Sequence, residues 1–289
     1  MKVMRRLLST GLLVALTLSL PVSVGAASTK APVTTTTAVP GGPFNNTALS
    51  HYLDSRQGTV TMAVLNLNSS QGYVYHDHVR QLTASMVKID ILAALLAKCQ
   101  TEKRWLSPAE QYQATLMVEQ SNNDAAQLLW NDVGGYGLSP KVTGTGGTLV
   151  VRAFNAKIGF SDTYTDWGWG DMDATPADYL KLLKVIALPN KILSDASRKY
   201  EMGLMEHVVS YQRFGIPNGI PKGVQVGVKN GWYPEGGTGW QINSAAYVFS
   251  NSTKYLAVIM TGSNPDEGYG MDTVNNAGAL LWRFMNHGA

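Results

Sequence analysis

The chain has 289 residues, a formal charge of +3 and a single cysteine, Cys99. Residues 1–26 hold Lys2, Arg5 and Arg6 and no acid, so the remainder is formally neutral, which argues against nucleic acid or an anionic membrane as a bulk partner. One cysteine excludes an intrachain disulfide. The roughly 260 residues after position 26 must therefore rely on a core, built as one large domain or two interleaved lobes.

The N-terminus reads as a secretory signal over residues 1–26. A basic start precedes the apolar run "LLVALTLSL", too short to span a bilayer, and Val24-Gly25-Ala26 offers small residues for cleavage. No cysteine lies near that cleavage site, so no lipid anchor and no stable membrane attachment are expected. Secretion to the exterior or the periplasm follows. Residues 27–43, "ASTKAPVTTTTAVPGGP", are Thr/Pro/Gly-rich and read as a flexible tether. The globular domain is expected over residues 44–289.

Within it, "TVTMAVLNL" (59–67) and "GYVYH" (72–76) flank a turn and predict a hairpin. The run "ASMVKIDILAALLA" (84–97) is apolar nearly all round, which predicts a buried helix. Cys99 follows that run and reads as packing. Ser107-Pro108-Ala109-Glu110 combines an N-cap serine, proline at the first helical position and a capping-box glutamate. Thr175-Pro176-Ala177-Asp178 repeats that logic before "YLKLLKVI", and a further helix is expected through "DASRKYEMGLMEHVV". Strand-like runs return in "VQVGVK" (224–229), "GWQINSAAYVFS" (239–250) and "KYLAVIMTG" (254–262), before an amphipathic helix "DTVNNAGALLWRFMN". Two strands, a helical middle, three strands and a helix predict an α+β fold. One antiparallel sheet would be assembled from both ends and a helical lobe from the middle, with a site in the cleft between them.

Three stretches carry candidate chemistry. In the first, Lys88 follows Ser85 by three residues, so on a helix the two share a face. An apolar setting lowers a lysine's pKa, and a neutral amine can take a serine's proton and activate it. The bland reading is a chance Ser-x-x-Lys. In the second, Ser121-Asn122-Asn123 precedes "DAAQLLW"; its bland reading is a helix N-cap. In the third, "VKNGWYP" (228–234), Lys229 ends a strand-like run and Gly231 permits close backbone approach; its bland reading is a strand end and a turn.

In this order the three stretches resemble the active-site motifs of the penicillin-recognising serine hydrolases, above all the class A β-lactamases. The likeness covers roughly residues 45–288 and extends to "NNDAAQLLW" and "TPADYLKLL". It is closer still to a secreted bacterial group of related serine hydrolases with "KNGW" at the third motif. The resemblance implies a five-stranded antiparallel sheet flanked by helices, plus an all-helical lobe. It implies Ser85 as nucleophile, Lys88 as general base, Ser121 as proton relay and Lys229 as the positive group that orients Ser121. Asn123, Asn230, Gly231 and Trp232 would bind substrate, with the backbone N–H groups of Ser85 and Trp232 forming the oxyanion hole. The substrate would be a β-lactam or a peptidoglycan-derived amide, handled by a monomer.

The match departs from the family in three places. Asn122 stands for an aspartate of mainly structural role. Asn230 stands for a hydroxyl residue. The loop "IGFSDTYTDWGWGDMDATP" is short and holds no glutamate, where class A enzymes carry the glutamate that activates the deacylating water. Asp166, Asp171 and Asp173 are its only acids and the possible substitutes, though Asp171 and Asp173 also suit a turn and a helix lead-in. Efficient lactam turnover is therefore not expected. A D-alanyl-D-alanine peptidase-like enzyme and a non-catalytic ligand binder remain open as alternatives. Trp167, Trp169, Trp232, Tyr233 and Trp240 offer aromatic surface or packing. No cofactor or metal is expected, since His76, His78 and His207 lack ligand spacing.

Overall fold

The computed structural model describes residues 42–141, 145–166, 168–237 and 239–287. The signal read at residues 1–26 and all but the last two residues of the tether lie outside the described residues.

Helix α1 (Ala48–Asp54) leads into a hairpin, β1 (Thr59–Asn66) and β2 (Gln71–Tyr75). A short strand β3 (Gln81–Leu82) precedes α2 (Val87–Thr101), α3 (Pro108–Glu119), α4 (Asn123–Val133) and α5 (Thr148–Lys157). After β4 (Asp173–Ala174) come α6 (Pro176–Ala187) and α7 (Asp195–Glu206). Three long strands, β5 (Gln225–Pro234), β6 (Trp240–Phe249) and β7 (Lys254–Asn264), are followed by α8 (Glu267–His287). Among the described residues no helix is long and apolar enough to cross a membrane.

The main sheet has the order β2-β1-β7-β6-β5 and every pair in it is antiparallel. Both ends of the chain build it, as the sequence predicts. Its central strand explains itself through burial. Along β7, Tyr255, Ala257 and Ile259 join the core beneath α1 and α8, whereas Leu256, Val258 and Met260 join the core shared with the helical lobe. A strand covered on both faces reads as one continuous apolar run, which is why "KYLAVIMTG" shows no alternation.

Local signals hold where the sequence is explicit. Ser107 accepts from the Glu110 amide at 3.2 Å while Glu110 accepts from the Ser107 amide at 2.5 Å, a complete capping box worth about 1 kcal/mol. Thr175 caps α6 by accepting from the Asp178 amide. The Asp178 carboxylate does not reach back to the cap. It accepts from the amides of Ser161 and Asp162 and from the Thr163 hydroxyl, which ties the loop before β4 to α6. Cys99 is buried as a free thiol.

Candidate active site

Ser85 sits in a single 3-10 turn, Ala84–Met86, that feeds α2. The turn is held from two sides. The Thr83 amide donates to Met172 O at 2.8 Å, and Asn243 Nδ2 donates to Leu82 O and Thr83 O at 2.8 and 3.2 Å. Ala84 has φ +46°, a left-handed conformation that disfavours any residue with a Cβ. Such strain, of order 1–3 kcal/mol, persists only where the surroundings over-determine it. Ser85 itself is half-buried, while Met86 and Lys88 are fully buried.

The second stretch forms the corner between α3 and α4. Ser121 takes φ +57°, and Asn122 caps α4 by accepting from the Ala125 amide at 2.8 Å. Asn122 therefore has the structural role that its position suggests. Asn123 opens the helix beside it. The Val209 amide donates to Glu119 O at 3.0 Å and Gln212 Nε2 to Gln120 O at 2.8 Å, so the segment before β5 braces this corner.

Lys88 Nζ reaches across to it. The amine donates to Ser121 O at 2.6 Å and Asn123 Oδ1 at 2.7 Å, and lies 3.1 Å from Ser121 Oγ. Lys229 Nζ meets the same hydroxyl at 3.0 Å and donates to its neighbour's carbonyl, Asn230 O, at 3.1 Å. Two lysines with no exposed surface thus converge on one serine hydroxyl. Burial pushes the Lys88 amine down to about 7 from 10.5. Burial first, and the charge of Lys88 second, push Lys229 well below its ordinary value. The two carbonyl-type contacts of Lys88 demand two donated hydrogens, and the hydroxyl contact accommodates either a third donated hydrogen or an accepted one. The cluster can therefore hold Lys88 as ammonium or as amine without losing a contact. Among the described residues no hydrogen bond joins Lys88 to Ser85. Catalytic contacts of this kind are often long in unliganded structures.

Strand β5 is the sheet's edge and packs against the turn that carries Ser85. Side chains alternate along a strand, so Lys229, Gly231 and Tyr233 share one face and Asn230 takes the other. At Gly231 a Cβ would lie 2.7 Å from the Ser85 amide nitrogen and from Thr83 O, and 2.9 Å from the Met86 nitrogen. Only glycine allows this approach of strand to turn. The Asn230 reading is corrected here. Its Nδ2 donates to Gln212 O at 2.7 Å and Phe214 O at 2.9 Å, so both amide hydrogens are engaged away from the cleft face. Trp232 meets Phe214 edge-on with ring centres 5.7 Å apart, and Tyr233 is 52% exposed.

The loop before α6 departs from expectation in a second way. Asp166 is within 3.5 Å of Arg152 and accepts from the Tyr164 hydroxyl, and Asp171 is exposed. Asp173 is half-buried in β4, with its main chain paired to Tyr164 and Leu82. Burial raises the Asp173 carboxyl, with Arg80 opposing. Among the described residues no hydrogen bond or ion pair links any of these three acids to Ser85, Lys88 or Ser121. What the loop does set over Lys88 is the indole of Trp169, its ring centre 5.4 Å from Nζ. The sequence marks Trp169 only as aromatic; nothing in its spacing says where the ring would lie. Trp167 lies outside the described residues.

Three comparisons bear on this arrangement. A family model described as the β-lactamase enzyme family matches residues 106–285, a span that includes Ser121 and Lys229 and begins after Ser85 and Lys88. The protein LppW of Mycobacterium tuberculosis, which carries a lipoprotein name, is 25% identical over 230 residues; the alignment covers 75% of this chain and 68% of LppW. Among solved structures, a β-lactamase from Chitinophaga pinensis superposes with a TM-score of 0.70 at 17% identity, covering 82% of this chain and 98% of that one. The TLA-1 extended-spectrum β-lactamase gives 0.69 at 17% identity, with 82% and 96% covered. At such identities the superpositions speak for the fold alone.

Proposed function

Because the chain belongs to the β-lactamase enzyme family, we propose that it is a serine hydrolase that opens an amide through an acyl-Ser85 intermediate. The observation that carries this reading is the convergence of two fully buried amines on the Ser121 hydroxyl, beside a strand glycine pressed against the Ser85 amide. A buried cation that is only structural has no need of a second one at the same hydroxyl.

In this reading Ser85 Oγ attacks the carbonyl carbon and its proton passes to the Lys88 amine, which burial keeps near neutrality. The oxyanion forms against the amides of Ser85 and Trp232. Donors of that kind contribute about 3 kcal/mol each when tested by mutation. Ser121, held between Lys88 and Lys229, returns a proton to the leaving nitrogen. Asn123 Oδ1 orients Lys88 and leaves its amide hydrogens for the substrate. The substrate class is a β-lactam or a related cell-wall amide. A location outside the cytoplasm is supported by the signal-like start of the sequence and by the lipoprotein name of the mycobacterial relative.

A second reading, a D-alanyl-D-alanine peptidase-like enzyme with a slow acyl-enzyme, is favoured by the indole that stands where a deacylating acid would be sought. Incubation of the domain with a fluorescent penicillin, followed by intact mass, separates the readings. Rapid turnover identifies a β-lactamase. A lasting adduct on Ser85 identifies the peptidase-like enzyme. If no adduct forms, and Ser85→Ala binds the probe as well as the parent, the domain is a binder and the hydrolase reading fails.

A further inference from the structure

Trp169 lies in a 3-10 turn, Trp169–Asp171, that packs against both the turn of Ser85 and the first part of α2. Its position is specified by a chain of polar contacts. Thr165 Oγ1 donates to Gly168 O at 2.9 Å and fixes the main chain just before it. The indole Nε1 donates to Gln127 Oε1 at 3.2 Å. Gln127 Nε2 in turn donates to Asn131 Oδ1 at 2.9 Å, and Nδ2 of the fully buried Asn131 donates to Ser139 O at 2.6 Å. A half-buried ring held at backbone and at Nε1 is not loose packing. Ser121 and Asn123 meet the Lys88 amine from the corner between α3 and α4, and the indole lies over it from the loop before α6.

We propose that Trp169, held by Gln127 and Asn131, is a positioning residue that keeps water from the amine of Lys88 and so prolongs the life of acyl-Ser85. The inference rests on the acyl-Ser85 reading above. Hydrolysis of that ester needs a water that touches both a base and the carbonyl carbon. Lys88 is the base already in the site, and among the described residues no hydrogen bond or ion pair joins it to the three loop acids. With the indole gone, the space it leaves exceeds that of a single water and is lined on one side by an amine. A water there would transfer one proton to Lys88 Nζ as its oxygen bonds the carbonyl carbon. The bond from that carbon to Ser85 Oγ then breaks, and Oγ takes the proton back from Lys88. Atoms and charge balance, and the products are free enzyme and the hydrated acid.

The test uses the same fluorescent penicillin, with acylation and adduct decay followed separately by intact mass. Trp169→Phe retains most of the ring and is expected to hold the adduct about as long as the parent. Trp169→Ala is expected to lose it at least tenfold faster, to release product one water heavier than the probe, and to acylate within about threefold of the parent rate at pH 9, where a lysine amine open to water but still largely enclosed remains mostly unprotonated. Gln127→Leu leaves the ring but frees it, and falls between. This last variant keeps the test decisive if Trp169→Ala fails to fold. An adduct whose lifetime is the same in parent, Trp169→Ala and Gln127→Leu overturns the role of Trp169 alone. Equal changes in acylation and decay reduce Trp169 to a structural part and overturn it as well. Rapid turnover by the parent overturns it while leaving the hydrolase intact, whereas a parent that never forms an adduct overturns the acyl-Ser85 reading itself.

Discussion

Acylation should switch off as the pH is lowered through 7. The perturbation is the charge on Lys88, and the structure supplies its size. The amine is buried and, among the described residues, no acid pairs with it; the fall from 10.5 to about 7 corresponds to roughly 5 kcal/mol against the charged form at 1.36 kcal/mol per tenfold step. An ordinary lysine at pH 7 is an amine in roughly one molecule in three thousand, whereas Lys88 is an amine in about half of them. The gain in competent base is thus on the order of a thousandfold. The assay is the second-order rate of adduct formation with a fluorescent penicillin between pH 5 and 9. The rate should be level above pH 8 and fall about tenfold per unit below pH 6. Lys88→Arg, which holds its proton throughout this range, should lower the rate by a factor of a thousand or more. A rate independent of pH over this range, or one that titrates near 10, would refute the assignment of Lys88 as the base.

Gly231→Ala should leave the fold intact and reduce acylation at least a hundredfold. Its new methyl meets backbone at 2.7 Å on the Ser85 turn, so the turn and its amide must shift. Retained acylation with an unchanged melting temperature would show that the strand does not help to shape an oxyanion hole. A third prediction concerns stability. Asp90 and Glu201 are fully buried carboxyls, and among the described residues both oxygens of Glu201 and Oδ1 of Asp90 lack hydrogen-bond partners. Burial pushes Asp90 up to about 7, with Asn155 Nδ2 at 2.7 Å opposing, and pushes Glu201 well above its ordinary value. The native state thus keeps protons that the unfolded chain loses near pH 4. Between that pH and about 7 the unfolded state binds fewer protons, so stability falls as pH rises, by about 1.4 kcal/mol per unit for Asp90 alone. Asp90→Asn, whose side-chain oxygen can still accept from Asn155, should raise stability at pH 8 by about 2–4 kcal/mol and change it little at pH 4. Urea denaturation at the two pH values checks this, and a parent equally stable at both contradicts it.

Much of the architecture was already legible in residue order. Capping signals at Ser107 and Thr175 mark the starts of α3 and α6, and the five strand-like runs all entered one sheet. Two helices went unread. Helix α1 starts on a complete capping box between Thr47 and Ser50, but its seven residues are too few for a periodic run, and α5 follows Gly147 with no side-chain cap. The side assigned to Asn230 could have been read as well. If Lys229 faces the cleft, period-two alternation sends its neighbour to the opposite face, and the 212–214 segment is what it finds there.

The sequence by itself determined which residue types stand at Ser85, Lys88, Ser121, Asn123 and Lys229, and that the apolar run around Lys88 would be buried. Tertiary structure alone decided how those groups meet. The Lys88 amine turned to Ser121 and Asn123, 33 and 35 residues away, and Lys229 reached the same hydroxyl across 108. It also decided that the loop before α6 covers that amine with an indole and not with a carboxylate. The physical reason is range. Periodicity, capping and backbone preference act over a few residues along the chain. A lysine's proton affinity and a ring's resting place depend on what packs around them from far away in sequence, and on how much water that packing excludes.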